Sequence, residues 1–362
     1  MLRISLRSIN AFLAAAAALL MQACASTATV AYVSNADSRE ISELSVDDKS
    51  GQVKTLQTVP VTGTVMPLAV SPDKRFLYAA LRSEPYSVAS FRIARTDGTL
   101  TPVGTTPLPD SMANIAIDKT GRFLFAASYG GHKMSVSPIA TDGSVTTATQ
   151  VLPTGQNAHA AIPGPDNRTL FVTNLGSDQV MQLRFDPATG QLSAGSPATV
   201  PTRAKAGPRH LVFHPNGRMA YLLNELDASV DQLEYDAANG TLAPRKTWST
   251  LPAGFSGKPW AADLHLTPDG RFLYTSERTS STLAMWAVSA ADGELRLIGH
   301  VPTEKQPRGF HITPSGRWLL AVGQLSNALT VYRIDPDSGK LASQSTLPLG
   351  KNPNWVEIID LP

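Results

Sequence analysis

Two series of short motifs recur along the chain at nearly constant spacing, and this repeat constrains the fold more than any other feature of the sequence. The first series is a turn in which a glycine stands two residues before an apolar residue. Asp-Gly and Asn-Gly turns between alternating apolar runs are typical of β-hairpins, because glycine takes the positive φ that a tight turn requires. Seven such turns predict seven structural units. Their glycines are Gly51, Gly98, Gly143, Gly190, Gly240, Gly293 and Gly339.

The second series is a strand, a turn and a strand, as in LAVSPDKRFLYAA, and it occurs six times. The missing seventh copy is divided between the two ends of the chain. The C-terminal NPNWVEII predicts the first strand of that unit, and the N-terminal ATVAYVSN predicts the second. An arginine ends the turn in each complete copy: Arg75, Arg122, Arg168, Arg218, Arg271 and Arg317.

Pairing of the last strand with the first would close the units into a ring and remove the exposed edges of a linear array. We therefore predict an all-β fold, a seven-bladed β-propeller closed by its N- and C-terminal strands. A stack of helices is excluded, because no stretch keeps a 3.6-residue apolar period and Pro and Gly interrupt the chain throughout. An open solenoid of strands is the remaining alternative.

The N-terminus has the pattern of an export signal, since Arg3 and Arg7 precede an apolar stretch at residues 11–21. This stretch is too short to span a bilayer. We predict a signal peptide at residues 1–25 and a single propeller domain at residues 26–362. The protein is accordingly expected to be exported, to the periplasm or the cell envelope.

Cys24 is the only cysteine, so no internal disulfide can form. The stretch LLMQAC is similar to a bacterial lipobox, in which the cysteine becomes a lipid anchor. Cleavage after Ala25, at a small-x-small site, is the alternative, and both lead to export. Lys and Arg number 31 and Asp and Glu 29, without the basic excess of nucleic-acid binders, so nucleic acid is not an expected partner.

The first strand of each propeller blade lines the central channel, so equivalent residues of different blades form a ring around it. The first strand and the antiparallel second strand are joined by a tight turn. The start of the first and the end of the second therefore lie at one end of the channel, here called the mouth. The first ring is Met66, Ala113, His159, Arg209, Ala262, Arg308 and Asn354. The second ring is Ala36, Arg82, Tyr129, Leu175, Glu225, Arg278 and Gln324.

The predicted mouth gathers four arginines, one histidine and one glutamate, and Asp263 lies one residue beyond the first ring. Guanidinium groups bind phosphate or carboxylate in a bidentate way, so this composition predicts an anionic, oxygen-rich small molecule as ligand. We predict Arg82, Asp263 and Arg308 as substrate-binding residues. The alternative is that the arginines only neutralise backbone carbonyls and acids at a wet channel end.

Other candidate sites are weaker. His210 and His214 would lie about 13 Å apart on a strand, too far for one metal ion. His265 and His311 occupy equivalent positions in the middle of first strands, which favours buried structural hydrogen bonds over a metal site. The loop at residues 335–339 lacks the downstream acid of a calcium loop and predicts a hairpin turn. No nucleophile-elbow, zinc-protease or P-loop motif occurs, and we predict no metal and no cofactor.

Several longer stretches resemble the propeller-type 6-phosphogluconolactonase family, which borders the carboxy-muconate cyclases. The similarity covers nearly all of the mature chain. In the cyclase branch the active site is attributed to a histidine, two arginines and a glutamate, which by motif correspond to His159, Arg209 in GPRH, Glu225 in NEL and Arg278 in SERT. The most specific stretches are VSPDKRFLYAALR, AGPRHLVFHP, NELDASVD, KPWAADLHLTPDGRFLY and TEKQPRGFHITPSG.

The resemblance implies a metal-independent lactonase that converts 6-phospho-D-glucono-1,5-lactone to 6-phosphogluconate. Glu225 or a neutral His159 would activate water, and Arg209 and Arg278 would stabilise the oxyanion. Typical members lack an export segment, which favours an alternative: an exported lactonase or cycloisomerase acting on an unphosphorylated aldonolactone or a muconate-type lactone. A non-catalytic envelope propeller that binds a ligand or protein is the third hypothesis. Because a closed ring has no free edge, we expect a monomer.

Overall fold

The computed structural model describes residues 28–361, which form seven four-stranded antiparallel sheets. The first strands of the sheets are β4 (Val65–Val70), β8 (Met112–Ile117), β12 (Ala158–Pro163), β16 (Pro208–Phe213), β20 (Ala261–Leu266), β24 (Pro307–Ile312) and β28 (Pro353–Asp360). The second strands are β1 (Thr29–Asn35), β5 (Phe76–Leu81), β9 (Phe123–Ser128), β13 (Thr169–Asn174), β17 (Met219–Asn224), β21 (Phe272–Glu277) and β25 (Trp318–Gly323).

The two outer strands of each sheet complete the blade. The third strands are β2 (Glu40–Val46), β6 (Ser87–Ile93), β10 (Lys133–Pro138), β14 (Gln179–Phe185), β18 (Ser229–Asp236), β22 (Thr282–Val288) and β26 (Ala328–Ile334). The fourth strands are β3 (Val53–Pro60), β7 (Leu100–Pro107), β11 (Gln150–Pro153), β15 (Leu192–Pro201), β19 (Thr241–Ser249), β23 (Leu295–Pro302) and β27 (Leu341–Pro348).

The sheets form a closed ring. Each first strand contacts the first strands of both neighbouring blades, and the series returns from β24 through β28 to β4. Among the described residues the only helical element is a 3-10 turn at Leu175–Ser177. No helix in this part of the chain is long and apolar enough to cross a membrane. The prediction of an all-β, seven-bladed propeller is confirmed.

Both ends of the described chain lie in one sheet, whose strand order is β28, β1, β2, β3. β28 runs antiparallel to β1, with Thr29 opposite Asp360 and Asn35 opposite Pro353. The Leu361 N–H donates a hydrogen bond to the Ala28 carbonyl, at 2.8 Å. The predicted closure of the ring by the terminal strands is therefore confirmed, and the open solenoid is excluded. The predicted signal segment and Cys24 lie outside the described residues.

The seven repeated glycines lie in the hairpins between the third and fourth strands, all with φ between +64° and +91°. Each also faces a residue at the start of a second strand in the preceding blade. A Cβ atom on Gly143 would lie 2.1 Å from the Phe76 ring, and one on Gly98 would lie 2.7 Å from Val30. The repeat therefore encodes both the hairpin and the joint between blades.

A second feature repeats at the channel. In all seven blades the pairing of the first with the second strand shifts register near the start of the first strand, which is the signature of a β-bulge. A bulge inserts an extra residue and changes the direction of its side chain. The bypassed residues include the whole predicted first ring: Met66, Ala113, His159, Arg209, Ala262, Arg308 and Asn354.

Candidate active site

The centre of the mouth is a carboxylate held by two guanidinium groups. The Arg209 Nε–H donates to Glu225 Oε2 at 2.8 Å, and Arg278 Nη2 lies 2.8 Å from the same oxygen. Arg209 begins the blade at β16 and Glu225 follows β17, while Arg278 follows β21 of the next blade. The predicted meeting of Arg209 and Glu225 within one blade is thus found, and the contact of Arg278 with Glu225 joins this blade to the next.

Trp260 covers this group from the solvent side. Its indole N–H donates to Glu225 Oε1 at 3.2 Å, and its ring centroid lies 3.8 Å from the Arg278 guanidinium carbon. The Arg278 Nε–H in turn donates to the Trp260 carbonyl at 3.1 Å. Trp260 is 39% exposed, so an aromatic surface borders the ion pairs at the mouth.

His159 lies at the same end of the channel, between Tyr129 and the next blade. Its ring is edge-on to Tyr129 at 6.0 Å and to His210 at 5.1 Å between ring centroids. The His159 side chain is buried, and its Nδ1 has no hydrogen-bond partner among residues 28–361. Both Tyr129 and His159 belong to the predicted rings.

Arg82 and Arg308 are half-buried at the mouth and differ from the two central arginines. Arg82 donates to the Ser111 hydroxyl at 3.1 Å and contacts the Met66 sulfur at 3.4 Å. The Arg308 Nε is buried and has no hydrogen-bond partner in the described part of the chain. Neither guanidinium forms an ion pair with a carboxylate of residues 28–361, so both charges are available to an anion.

Asp263 lies one layer further along the channel than the mouth. Its Oδ1 accepts from His210 Nδ1 at 2.8 Å, and its Oδ2 accepts from His265 Nε2 at 3.2 Å. The backbone N–H groups of Leu264 and Phe310 also donate to this carboxylate. The four bonds fill the acceptor positions of an ionised carboxylate, so Asp263 faces protein groups rather than the open mouth.

The electrostatics of the mouth favour an ionised Glu225 and a neutral His159. Burial alone would raise the pKa of Glu225, but the charges of Arg209, Arg278 and Arg308 bring it below its ordinary value. Burial, followed by the charge of Arg209, lowers the pKa of His159 well below its ordinary value. A neutral imidazole and an ionised carboxylate are therefore present together at pH 7.

Burial and mutual repulsion lower the pKa of two arginines at the mouth. Burial, and then repulsion from Arg209 and Arg278, lowers the pKa of Arg308 well below its ordinary value. Burial and the charge of Arg209 lower the pKa of Arg278 to about 9, despite the attraction of Glu225. Since repulsion among cations is relieved by a bound anion, the mouth is built to receive negative charge.

The sequence interpretation missed His210 and Trp260. The sequence excludes a shared metal ion for His210 and His214 but assigns His210 no other role, and the His214 ring contacts the Gly270 carbonyl at 3.1 Å. The adjacency of His210 to the ring residue Arg209 is the sequence feature from which a contact between them could have been predicted. Trp260 could not be predicted in this way, because it lies outside both aligned rings. Within residues 28–361 no group of three or more His, Cys, Asp and Glu side chains has a metal-binding arrangement.

His265 and His311 hydrogen-bond to protein groups, and both residues are half-buried rather than buried. Their rings lie 4.6 Å apart between centroids. His265 contacts Asp263, and His311 Nδ1 lies 2.9 Å from the Ile312 carbonyl.

The fold and the site together define the class of protein: a closed seven-bladed β-propeller with arginines and one central carboxylate at one end of its channel. Residues 27–358 match the family model described as a lactonase with a seven-bladed β-propeller. The 6-phosphogluconolactonase of Pectobacterium carotovorum is 45% identical over 281 residues, which are 78% of this chain and 83% of the relative. That of Serratia proteamaculans is 42% identical over 281 residues, 78% of this chain and 84% of the relative.

Among solved structures, the periplasmic gluconolactonase of Pseudomonas aeruginosa superposes with a TM-score of 0.86 and 31% identity, covering 92% of this chain and 100% of that one. The chain therefore belongs to the lactonase family of seven-bladed β-propellers, and it is a lactonase.

Proposed function

We propose that the protein hydrolyses 6-phospho-D-glucono-1,5-lactone to 6-phosphogluconate at the mouth, without a metal ion. The observation that supports this most is the arrangement of four arginines around Glu225, of which Arg82 and Arg308 have no carboxylate partner in the described structure. Two such guanidinium groups suit a phosphate. The named relatives act on the phosphorylated lactone according to their names.

His159 is proposed as the general base. It is neutral at pH 7, and its ring lies at the mouth beside Tyr129 and His210. Glu225 is the weaker candidate, because both of its oxygens already accept hydrogen bonds from Arg209, Arg278 and Trp260. In this mechanism His159 removes a proton from water as the water attacks the lactone carbonyl, and later returns it to the ring oxygen that leaves.

The arginines stabilise the negative charge that forms on the carbonyl oxygen. Arg278 and Arg209 are fixed by Glu225 before the reaction, so little reorganisation is needed as the oxyanion develops. Arg209 is fully buried and acts as a fixed charge behind Glu225. Arg82 and Arg308, which are half-buried, hold the phosphate or the ring hydroxyls.

Hydrolysis rates would test the proposal. We expect rapid turnover of 6-phosphogluconolactone above the spontaneous rate, and a decrease in kcat of about 10² or more in Glu225→Gln and in His159→Gln. Glu234→Gln is the matched control, because Glu234 is exposed and pairs only with Arg245. Wild-type rates in both mouth variants would remove these residues from the mechanism.

The second candidate is an unphosphorylated aldonolactone met outside the cytoplasm. It is favoured by the likeness to the periplasmic gluconolactonase and by the export signal predicted at residues 1–25. The two candidates separate in kcat/KM measured on glucono-1,5-lactone with and without the 6-phosphate. If Arg308 binds the phosphate, Arg308→Gln lowers kcat/KM for the phosphorylated lactone and leaves kcat/KM for the unphosphorylated lactone nearly unchanged.

A further inference from the structure

A continuous series of polar contacts runs from the mouth into the channel and joins two neighbouring blades. It starts at Glu225, whose Oε2 accepts from Arg209 Nε at 2.8 Å. Arg209 Nη1 lies 3.2 Å from His210 Nε2, and His210 Nδ1 lies 2.8 Å from Asp263 Oδ1. Asp263 Oδ2 then lies 3.2 Å from His265 Nε2. The series therefore connects the carboxylate of the site to a second, buried carboxylate.

The protonation of His210 follows from its two neighbours. Burial would raise the pKa of Asp263, but His265 and the hydrogen bonds from His210 and His265 bring it well below its ordinary value. An ionised carboxylate only accepts, so His210 Nδ1 must carry a proton. A guanidinium only donates, so His210 Nε2 must be bare to receive the Arg209 N–H.

The neutral imidazole has one N–H and one bare nitrogen, and these two contacts use both in one tautomer only. The environment also keeps the ring neutral, since burial and then the charge of Arg209 lower the pKa of His210 to about 4. His210 thus links a donor-only group to an acceptor-only group. Exchange of either neighbour for a group of the other type would break the link.

These contacts restrict the position of the Arg209 guanidinium. Its guanidinium is anchored by Glu225, by the Ala262 carbonyl and by His210, and the side chain is fully buried. Its Nη2 has no partner in the described part of the chain. We propose that Asp263, acting through His210, is a positioning residue that sets the plane of the Arg209 guanidinium and thereby the orientation of Glu225. The role in catalysis rests on the proposed lactonase function.

The experiment compares four variants that leave the mouth residues intact. Asp263→Asn has only one acceptor oxygen and adds a donor, so it cannot accept from both histidines. His210→Gln keeps an acceptor near Arg209, and His210→Leu removes it. His265→Gln is the matched control, because it alters the other side-chain partner of Asp263 while His265 makes no contact with Arg209.

We expect kcat to fall at least tenfold in Asp263→Asn and His210→Leu, with KM changed less than threefold. His210→Gln should retain more activity than His210→Leu, and His265→Gln should stay within threefold of wild type. Rates are measured well below the unfolding midpoint of each variant, so that loss of folded protein does not contribute. Equal losses in Asp263→Asn and His265→Gln would overturn the proposal in favour of a general structural role.

Nitrogen-15 NMR of the imidazole rings tests the tautomer without any substrate. Wild type should show a neutral Nδ1–H histidine whose signals disappear in His210→Gln and change tautomer in Asp263→Asn. The Arg209 Nε–H should exchange slowly with solvent in wild type and faster in Asp263→Asn. A His210 ring protonated on Nε2 would overturn the proposal. If wild type hydrolyses neither lactone, the proposed function fails, and these spectra still decide the positioning of Arg209.

Discussion

At the scale of single residues, the mouth places like charges together and uses burial to choose which groups stay ionised. Glu225 remains an anion because arginines surround it, and His159 remains neutral because the same arginines and burial disfavour its cation. The positive charge of the arginines lowers the pKa of both groups, which favours the charged form of Glu225 and the neutral form of His159. The site therefore holds a neutral imidazole, which can accept a proton, together with an ionised carboxylate at neutral pH.

The burial of His159 predicts how stability changes with pH. The folded pKa of His159 is depressed, so the unfolded chain binds the proton first as the pH falls below its ordinary value. Wild type should therefore lose stability relative to His159→Gln by up to about 1.4 kcal/mol per pH unit below that point.

Urea unfolding at pH 7.5, 6.0 and 5.0 measures this difference. The same substitution at His132, whose side chain is exposed, is the control. A difference between wild type and His159→Gln that does not vary with pH would show that His159 is protonated alike in both states.

At the scale of elements, the first strands and the hairpins between third and fourth strands have separate structural roles. The bulges in the first strands direct the ring residues to the channel, and the glycine hairpins join each blade to the one before it. The connection from β19 to β20, residues 250–260, is longer than the others between blades and carries Trp260 to the mouth. The mouth thus combines ring residues from regular positions of the repeat with Trp260 from its least regular connection.

Three glycine-to-alanine variants separate the two demands on the hairpins. Gly143 has φ +91° and no space for a Cβ beside Phe76, Gly217 has φ +68° with nothing within 4 Å, and Gly104 has open space without the positive φ. We expect Gly217→Ala to cost about 1 kcal/mol from backbone strain, and Gly143→Ala about 2 kcal/mol or more.

Gly104→Ala should be close to neutral. The unfolding midpoints in urea rank the three variants. Equal losses in Gly143→Ala and Gly217→Ala would mean that contact with the neighbouring blade adds nothing at these hairpins.

At the scale of the whole molecule, the ring is closed by strands that are far apart in sequence. β28 and β1 pair along their full length, and the backbones of residues 28 and 361 are hydrogen-bonded. Closure of the ring requires that the two terminal strands pair, but it does not require that they pair in this particular blade. Moving the ends to another blade should preserve the ring.

A circular permutant tests this. A short Gly-Ser linker joins residue 361 to residue 28, and new ends are placed between Asn216 and Gly217, in the turn between β16 and β17. We expect a monomeric, folded protein by circular dichroism and size-exclusion chromatography. Deletion of residues 353–361, by contrast, should expose the edge of β1 and produce aggregation. A deletion variant that folds as well as the permutant would contradict the importance of closure.

Much of this fold was predictable from the chain, because a repeat written seven times specifies the same local structure seven times. The Asp-Gly type turns, the alternating apolar strands and the divided seventh unit predicted the number of blades and their closure. The ring positions predicted that Arg209, Glu225 and Arg278 would meet, because equivalent residues in a closed ring share one end of the channel. All of these follow from local periodicity and symmetry.

Only the tertiary structure decided which side chains contact each other within the mouth. Trp260 reaches Glu225 from an irregular connection that no repeat predicts, and Asp263 faces His210 and His265 instead of the ligand space. The physical reason is that hydrogen bonds, burial and pKa values depend on atomic distances between blades. A periodic sequence determines which residues lie at the channel end, whereas the packing of neighbouring blades determines what each one binds.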